Sequence, residues 1–243
     1  GQVTVDSDTD SSVTYGGPLA VLTSRFSASA SEIFAGALQN YGRAVIVGDS
    51  STHGKGTVQA VLEMKRFMPR LSQDITDTGA AKLTVQKFYL PNGSSTQMKG
   101  VIPDISLPSI DDYLPIGEAS LPHALMWDEI KSTSFQGKTL ATSFLKPLLK
   151  ASHVRQDSLE EFSYLKKNID WFKERQEQKT ISLNLQQRQA LKQTDEDFKK
   201  KMDTERDVLA KANYVSRPVK LDSVIKAEST APKDATVTAA TNV

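Results

Sequence analysis

The sequence predicts two unlike halves: an α/β portion reaching to about Pro108, then a mainly α-helical portion. Three observations carry that division. A strand–helix–strand pattern runs from Pro18 to Gly48, prolines punctuate the chain from Pro103 to Pro122, and apolar residues beyond that link recur at helical rather than strand spacing. With 243 residues, 38% of them hydrophobic and 24% charged, the chain can bury a core in one large domain or two modest ones.

Taken in order, "PLAVLT" (Pro18 to Thr23) is a short continuous apolar run and predicts a buried strand. "SEIFAGALQNYG" sets Ile33, Phe34, Ala37 and Leu38 at helical spacing, with Gly42 as its stop signal. "RAVIVG" (Arg43 to Gly48) predicts a second buried strand, and the three elements together predict a parallel crossover unit. "TVQAVLEM" and "AKLTVQKFYLPNGSSTQMKGVIPDI" read as strands, with Asn92-Gly93 turning between two arms of a hairpin. Beyond the proline-rich link, three segments are helical. Leu159, Phe162, Leu165, Ile169 and Phe172 share one face, as do Leu191, Phe198, Met202 and Leu209. "TISLN" between them fits either a short strand or an extended link. From about Asn213 the chain is rich in Ala, Thr, Lys and Val without periodicity and reads as a tail. The expected domains are therefore 2–108, 109–212 and a tail over 213–243.

Composition narrows the function classes. Thirty basic against 29 acidic residues leave a net charge of +1, with basic and acidic residues interspersed along the helices. Neither a nucleic-acid partner nor an anionic membrane is called for. The absence of cysteine removes disulfides, a thiolate nucleophile and cysteine-based metal sites. No apolar run approaches the roughly 18 residues that span a bilayer. Asp6, Asp8 and Asp10 have calcium-loop spacing, but Ser11 and Gly17 occupy the places of the turn glycine and final glutamate, so no metal is expected.

One stretch concentrates candidate chemistry. Ser27, Ser29 and Ser31 alternate at the mouth of the first predicted helix, where unpaired amides and the positive dipole end would stabilise an oxyanion. A serine nucleophile needs a base. The histidines are His53, His123 and His153, but Lys55, between Gly54 and Gly56, is the more suggestive candidate, since the glycines allow unusual backbone angles. To accept a proton that lysine must be neutral, which takes burial or nearby positive charge. Two plainer readings stand beside this one. Ser29-Ala30-Ser31-Glu32 fits a capping box, with Ser29 as N-cap. "GKGT" fits a surface turn or half of a phosphate loop, although Asp49 stands where that loop needs its first glycine.

The run "SASASEIFAGALQNYGRAVIVG…GKGTVQ", flanked by "YGGPLAVLTSRF" and "LTVQKFYLPNGSSTQMKGVIPDI", closely resembles the signature of the tail-specific, or C-terminal processing, serine peptidases. The helical half resembles the extra C-terminal domain of the tail-specific branch. The resemblance implies a crotonase/ClpP-like ββα protease-core portion and a Ser–Lys dyad without cofactor. Ser29 would be the nucleophile, Lys55 the general base, Gln59 the residue that orients Lys55, and the Ala30 amide an oxyanion donor. It further implies protein substrates with recognised C-terminal tails, a bacterial periplasmic or inner-membrane-associated location, and a chain that is a C-terminal fragment. An N-terminal region, a PDZ domain and the first part of the core would lie upstream. Alone, such a fragment is expected to hydrolyse peptides poorly and to self-associate through an apolar face. A non-catalytic binding or scaffold role for the fragment is the rival expectation. Ser29 and Lys55 are 26 positions apart, one more than is usual in that family, because "DSSTH" replaces a shorter loop. His53 stands where that family has an aromatic residue, and Asn40 where relatives often carry Asp.

Overall fold

The computed structural model describes residues 5–67, 78–213 and 221. Two compact units divide at Leu191/Lys192. The first contains strands β1 (Ala20–Thr23), β2 (Val45–Gly48), β3 (Thr57–Glu63), β4 (Ala80–Lys87) and β5 (Ile105–Ser106). Its helices are α1 (Ala30–Asn40), α2 (Thr142–Ser158) and α3 (Glu160–Glu177); α4 (Leu185–Asn213) begins in this unit and lies mostly in the second. The predicted tail beyond Asn213 lies outside the described residues, Leu221 excepted.

The crossover unit forms as expected. β1, β2 and β5 make a parallel sheet in the order β1-β2-β5, with Ala20 opposite Val45 and Val47 opposite Ile105. β2, in the centre, carries Ile46, fully buried with Ala35, Ala44 and Val101. Asp104 extends the β2–β5 pairing: its N–H donates to Ile46 O and its carboxylate accepts from Ile46 N–H, both at 2.8 Å. β1 differs from expectation. It is an edge strand, and Leu22 is 79% exposed.

α1 ends where Gly42 predicted. The Arg43 N–H donates to Leu38 O and the Gly42 N–H to Gln39 O, closing a Schellman motif around Gly42 at φ +61°. The face that α1 buries is not the expected one. Glu32, Ala35, Gly36 and Asn40 are buried, whereas Ile33 and Phe34 are exposed. Small residues explain the difference: a Cβ on Gly36 would lie 2.6 Å from Leu90, so the helix packs closely only along its Ala35–Gly36 side.

The predicted hairpin about Asn92-Gly93 also resolves differently. β4 pairs antiparallel with β3, and no strand follows the turn until β5. The turn itself exists, with the Gly93 N–H donating to Leu90 O at 2.8 Å. Left-handed backbone at Gly93, Met98 and Gly100 breaks any strand beyond it. The stretch from Pro91 to Gln97 runs instead beside residues 125–133. Ser94 bridges Glu129, and the Trp127 indole donates to Ser95 O at 2.9 Å.

In the helical half, α2 and α3 share Leu159 as C-cap of one and N-cap of the other. Ile169 is buried on the predicted face of α3, and Gln156 of α2 donates to Ser106 O at the end of β5. "TISLN" is a link that pairs with no strand among the described residues. On α4, Met202 and Leu209 are buried, on the predicted stripe.

Candidate active site

β1 runs into a tight turn that delivers the chain to the start of α1, and Ser29 sits at that joint as N-cap. Its φ of 57° and ψ of −112° lie where side-chain-bearing residues are rarely found, a conformation costing on the order of 1–3 kcal/mol. Such strain persists only where the surroundings impose it. Here Ser29 O accepts from the Glu32 and Ile33 amides, and the Ser29 N–H donates to Glu32 Oε2 at 2.8 Å. The capping box read from the sequence is therefore present. The Ser29 hydroxyl faces the Glu32 amide but makes no full cap hydrogen bond to it. Cap and candidate nucleophile are one residue, and the two readings do not compete. Ala30, the next residue, is exposed at the first position of α1, and its N–H has no acceptor among the described residues. That leaves it, with the helix dipole behind it, able to donate to an oxyanion.

Glu32 does far more than cap. It is fully buried, and its carboxylate accepts from four donors. These are the Ser29 N–H, the Thr52 hydroxyl (2.5 Å), the Gly54 N–H (2.6 Å) and the Lys55 N–H (2.9 Å). One carboxylate thus joins the nucleophile turn to the loop carrying the candidate base. The Ser29 and Lys55 amides share the single oxygen Oε2, which brings positions 26 residues apart in sequence within a few ångströms. The local half of this arrangement was legible as a capping box. The long-range half was not, because nothing in "SASASEIF" indicates what else the glutamate will meet.

The two glycines about Lys55 play different parts. Gly54 has φ +90°, as the sequence predicted. Gly56 adopts no such angle; its requirement is closeness, since a Cβ there would lie 2.7 Å from the Gln97 nitrogen and from Ser95 Oγ. The far side of the loop is bound as firmly as the near side. The Met98 N–H donates to Gly54 O at 2.7 Å, the Thr96 hydroxyl to Lys55 O at 3.0 Å, and the Gly56 N–H to Gln97 Oε1 at 2.9 Å. Thr96 and Gln97 are completely buried. Gln97, like the wider role of Glu32, escaped sequence reading, which saw only polar loop residues after a turn.

Gln59 lies on β3, exposed, at a register shift between Val58 and Gln59 that leaves Val85 of β4 as the extra residue. Bulges of this kind re-aim side chains. No hydrogen bond joins Gln59 to Lys55, or the Ser29 hydroxyl to the Lys55 amine. His53 contributes through its backbone: its N–H donates to Ser27 O and its O accepts from the Glu118 N–H, both at 2.9 Å. Asn40 is buried and accepts from the Asn92 N–H through its side-chain oxygen. A carboxylate would serve there equally, and an amide suffices. His123 and His153 lie outside this assembly. Asp8 and Asp10 accept from the amides of Asp10 and Ser12 in local turns.

Comparison with known proteins identifies the family of both halves. Residues 2–107 match peptidase family S41, and residues 112–242 match the C-terminal domain of tail-specific protease. A tail-specific protease of Haemophilus influenzae is 39% identical over 192 residues, 78% of this chain and 27% of that protein. A carboxy-terminal-processing protease of Bartonella bacilliformis is 43% identical over 36% of the chain and 18% of its own length. A carboxy-terminal processing protease of Bacillus subtilis is 40% identical over 46% and 20%. The chain therefore spans about a quarter or less of the length of these relatives. An S41 peptidase portion followed by a helical C-terminal domain accounts for both halves of the molecule, and the chain belongs to the tail-specific proteases.

Proposed function

We propose that this chain supplies the Ser29–Lys55 dyad of a serine endopeptidase that cleaves proteins bearing recognised C-terminal tails. The observation that carries the reading is the Glu32 carboxylate, which holds the strained Ser29 turn and the Lys55 loop to one point. Ser29 Oγ attacks the scissile carbonyl carbon while the Lys55 amine takes the hydroxyl proton. The Ala30 N–H donates to the resulting oxyanion. Lys55 then returns the proton to the leaving amine as the peptide bond breaks, and water releases the acyl group from Ser29. Gln59, four residues beyond Lys55, orients the amine.

On this reading an N-terminal region, a PDZ domain and the first part of a crotonase-type core would lie upstream, and the protein would act in the bacterial envelope. A second oxyanion donor would come from that upstream part, and losing one donor costs on the order of a hundredfold or more in rate. The exposed apolar residues beside Ser29, namely Leu22, Phe26, Ile33 and Phe34, suit coverage by the same upstream part and would otherwise favour self-association. They also favour the rival reading, a non-catalytic docking module, for the 243-residue chain in isolation.

The test is Ser29→Ala in the full-length protease, assayed on an unstructured protein and by fluorophosphonate labelling. Turnover should fall by at least about a thousandfold and labelling should vanish, while Ser27→Ala and Ser31→Ala keep most activity. A Ser29→Ala protein that melts lower yet still turns over substrate would make Ser29 a cap alone.

A further inference from the structure

The match to the tail-specific C-terminal domain begins at residue 112, and the opening residues of that stretch run along the loop that carries Lys55. Asp112 Oδ1 accepts from the Ser50 N–H at 3.2 Å and from the Ser50 hydroxyl at 2.5 Å. Ile116 O accepts from the Arg25 guanidinium, which also reaches the Ser51 hydroxyl and Thr52 O. Gly117, at φ +122°, leaves space that a side chain would fill, because a Cβ would lie 2.9 Å from the Arg25 guanidinium and 3.0 Å from His53 O. The Glu118 N–H donates to His53 O.

Gln97 connects this segment to the loop. Its Oε1 accepts from the Gly56 N–H, while Nε2 donates to Glu118 Oε1 at 3.1 Å and to Leu125 O at 3.0 Å. Both ends of one buried amide are therefore in use. A glutamate of the same length would keep the acceptor for Gly56, lose both donors and set its carboxylate against that of Glu118. Leucine would leave the Gly56 N–H and Leu125 O without partners.

We infer that residues 112–125 form a strap that holds the Lys55 loop, with Gln97 as the positioning residue that joins strap to loop. Glu32 fixes the loop from the α1 side and Gln97 from the other, so Lys55 sits between two buried polar clamps. One clamp belongs to the peptidase portion; the other is completed by the C-terminal domain. This rests on Lys55 being the general base. Misplacing a reacting group by about 1 Å costs roughly a hundredfold in rate, so the strap should act on turnover more than on substrate binding.

The experiment uses the full-length protease and compares Gln97→Glu, Glu118→Ala and Glu118→Gln with the parent protein. Gln97→Glu should lower kcat by about tenfold to a hundredfold, leave KM within about twofold, and displace the rising limb of the pH–rate profile. Glu118→Ala should show a smaller loss in the same direction. Glu118→Gln, which keeps an oxygen for Gln97 to donate to, should stay within about threefold of the parent. Amide hydrogen exchange at residues 53–56 should accelerate in Gln97→Glu and Glu118→Ala but not in Glu118→Gln. Unchanged exchange and unchanged kcat in Gln97→Glu and Glu118→Ala would overturn the strap. So would losses that merely track the fraction of unfolded protein. If Ser29→Ala retained turnover, the Ser–Lys reading would fall, and the exchange measurement would still decide the strap.

Discussion

The loop bearing Lys55 and the ribbon bearing Gln59 are consecutive in sequence and held by different physics. The loop is enclosed by polar partners. Glu32, Thr52, Thr96 and Gln97 are each fully buried, and among them they bind its amides and carbonyls on both sides. The β3–β4 ribbon is paired along its own ladder and tied by Lys87 to Asp128, and Val61, Leu83 and Val85 on it are 65%, 48% and 54% exposed. Precision at the candidate base thus comes from satisfied buried hydrogen bonds rather than from apolar packing. The same low-polarity setting that strengthens such bonds makes each one costly to orphan.

That contrast can be broken most decisively at the amine. Lys55→Arg keeps a cation but cannot act as a neutral base, so it should be as inactive as Lys55→Ala, a loss of about a thousandfold or more in kcat. Parent-like cleavage by the Arg variant would replace base catalysis with simple charge stabilisation. Next in size is Glu32→Gln, which turns one acceptor of a four-donor hub into a donor. It should destabilise the protein by roughly 2–4 kcal/mol in denaturant unfolding and lower activity beyond what lost folding explains. A change under about 0.5 kcal/mol would mean that the hub is dispensable.

A milder test uses acid. The hydrogen bond from Lys87 holds the Asp128 carboxyl below its ordinary range, burial opposes this, and the Tyr89 hydroxyl assists. A depressed folded value stabilises above the unfolded pKa and is lost as pH falls through the folded one. Contact between β4 and the Asp128 segment should therefore loosen below the ordinary carboxylate range. Asp128→Asn should flatten that acid limb of stability, and an unchanged limb would assign it to other carboxylates. Smallest of all, Val61→Thr on the ribbon should move stability by no more than about 0.5 kcal/mol. A larger loss would show that this face is covered in the intact protein.

Most elements were legible where local chemistry decided them. Gly42 ended α1, "RAVIVG" made the buried centre of the sheet, and Ile169 and Met202 fell on predicted apolar stripes. Reading failed where distant residues chose. Ile33 and Phe34 have the spacing of a buried face, but the close approach of Leu90 at Gly36 selected the neighbouring side of the helix. Asn92-Gly93 announces a hairpin, yet the chain after it pairs with residues more than thirty positions on, which no local pattern reveals. At the site, the Ser29–Glu32 cap was local and visible. The bonds from Glu32 to Thr52, Gly54 and Lys55, and those from Gln97 to Gly56 and Glu118, join segments that share no sequence signal.

The bonds between the Lys55 loop and residues 112–125 also have a consequence in time. A chain is made from its N-terminus, at about 5–20 residues per second. Ser29, Glu32 and Lys55 therefore exist for on the order of several seconds before Glu118 and Leu125 are available to Gln97. Through that interval Gln97 lacks both acceptors of its Nε2, so the far clamp stays incomplete until residues 118–125 are made. Under the proposed Ser29–Lys55 reading, a base loop completed by downstream sequence would restrain the enzyme while it is still being made, when its own unfolded segments are the nearest substrate.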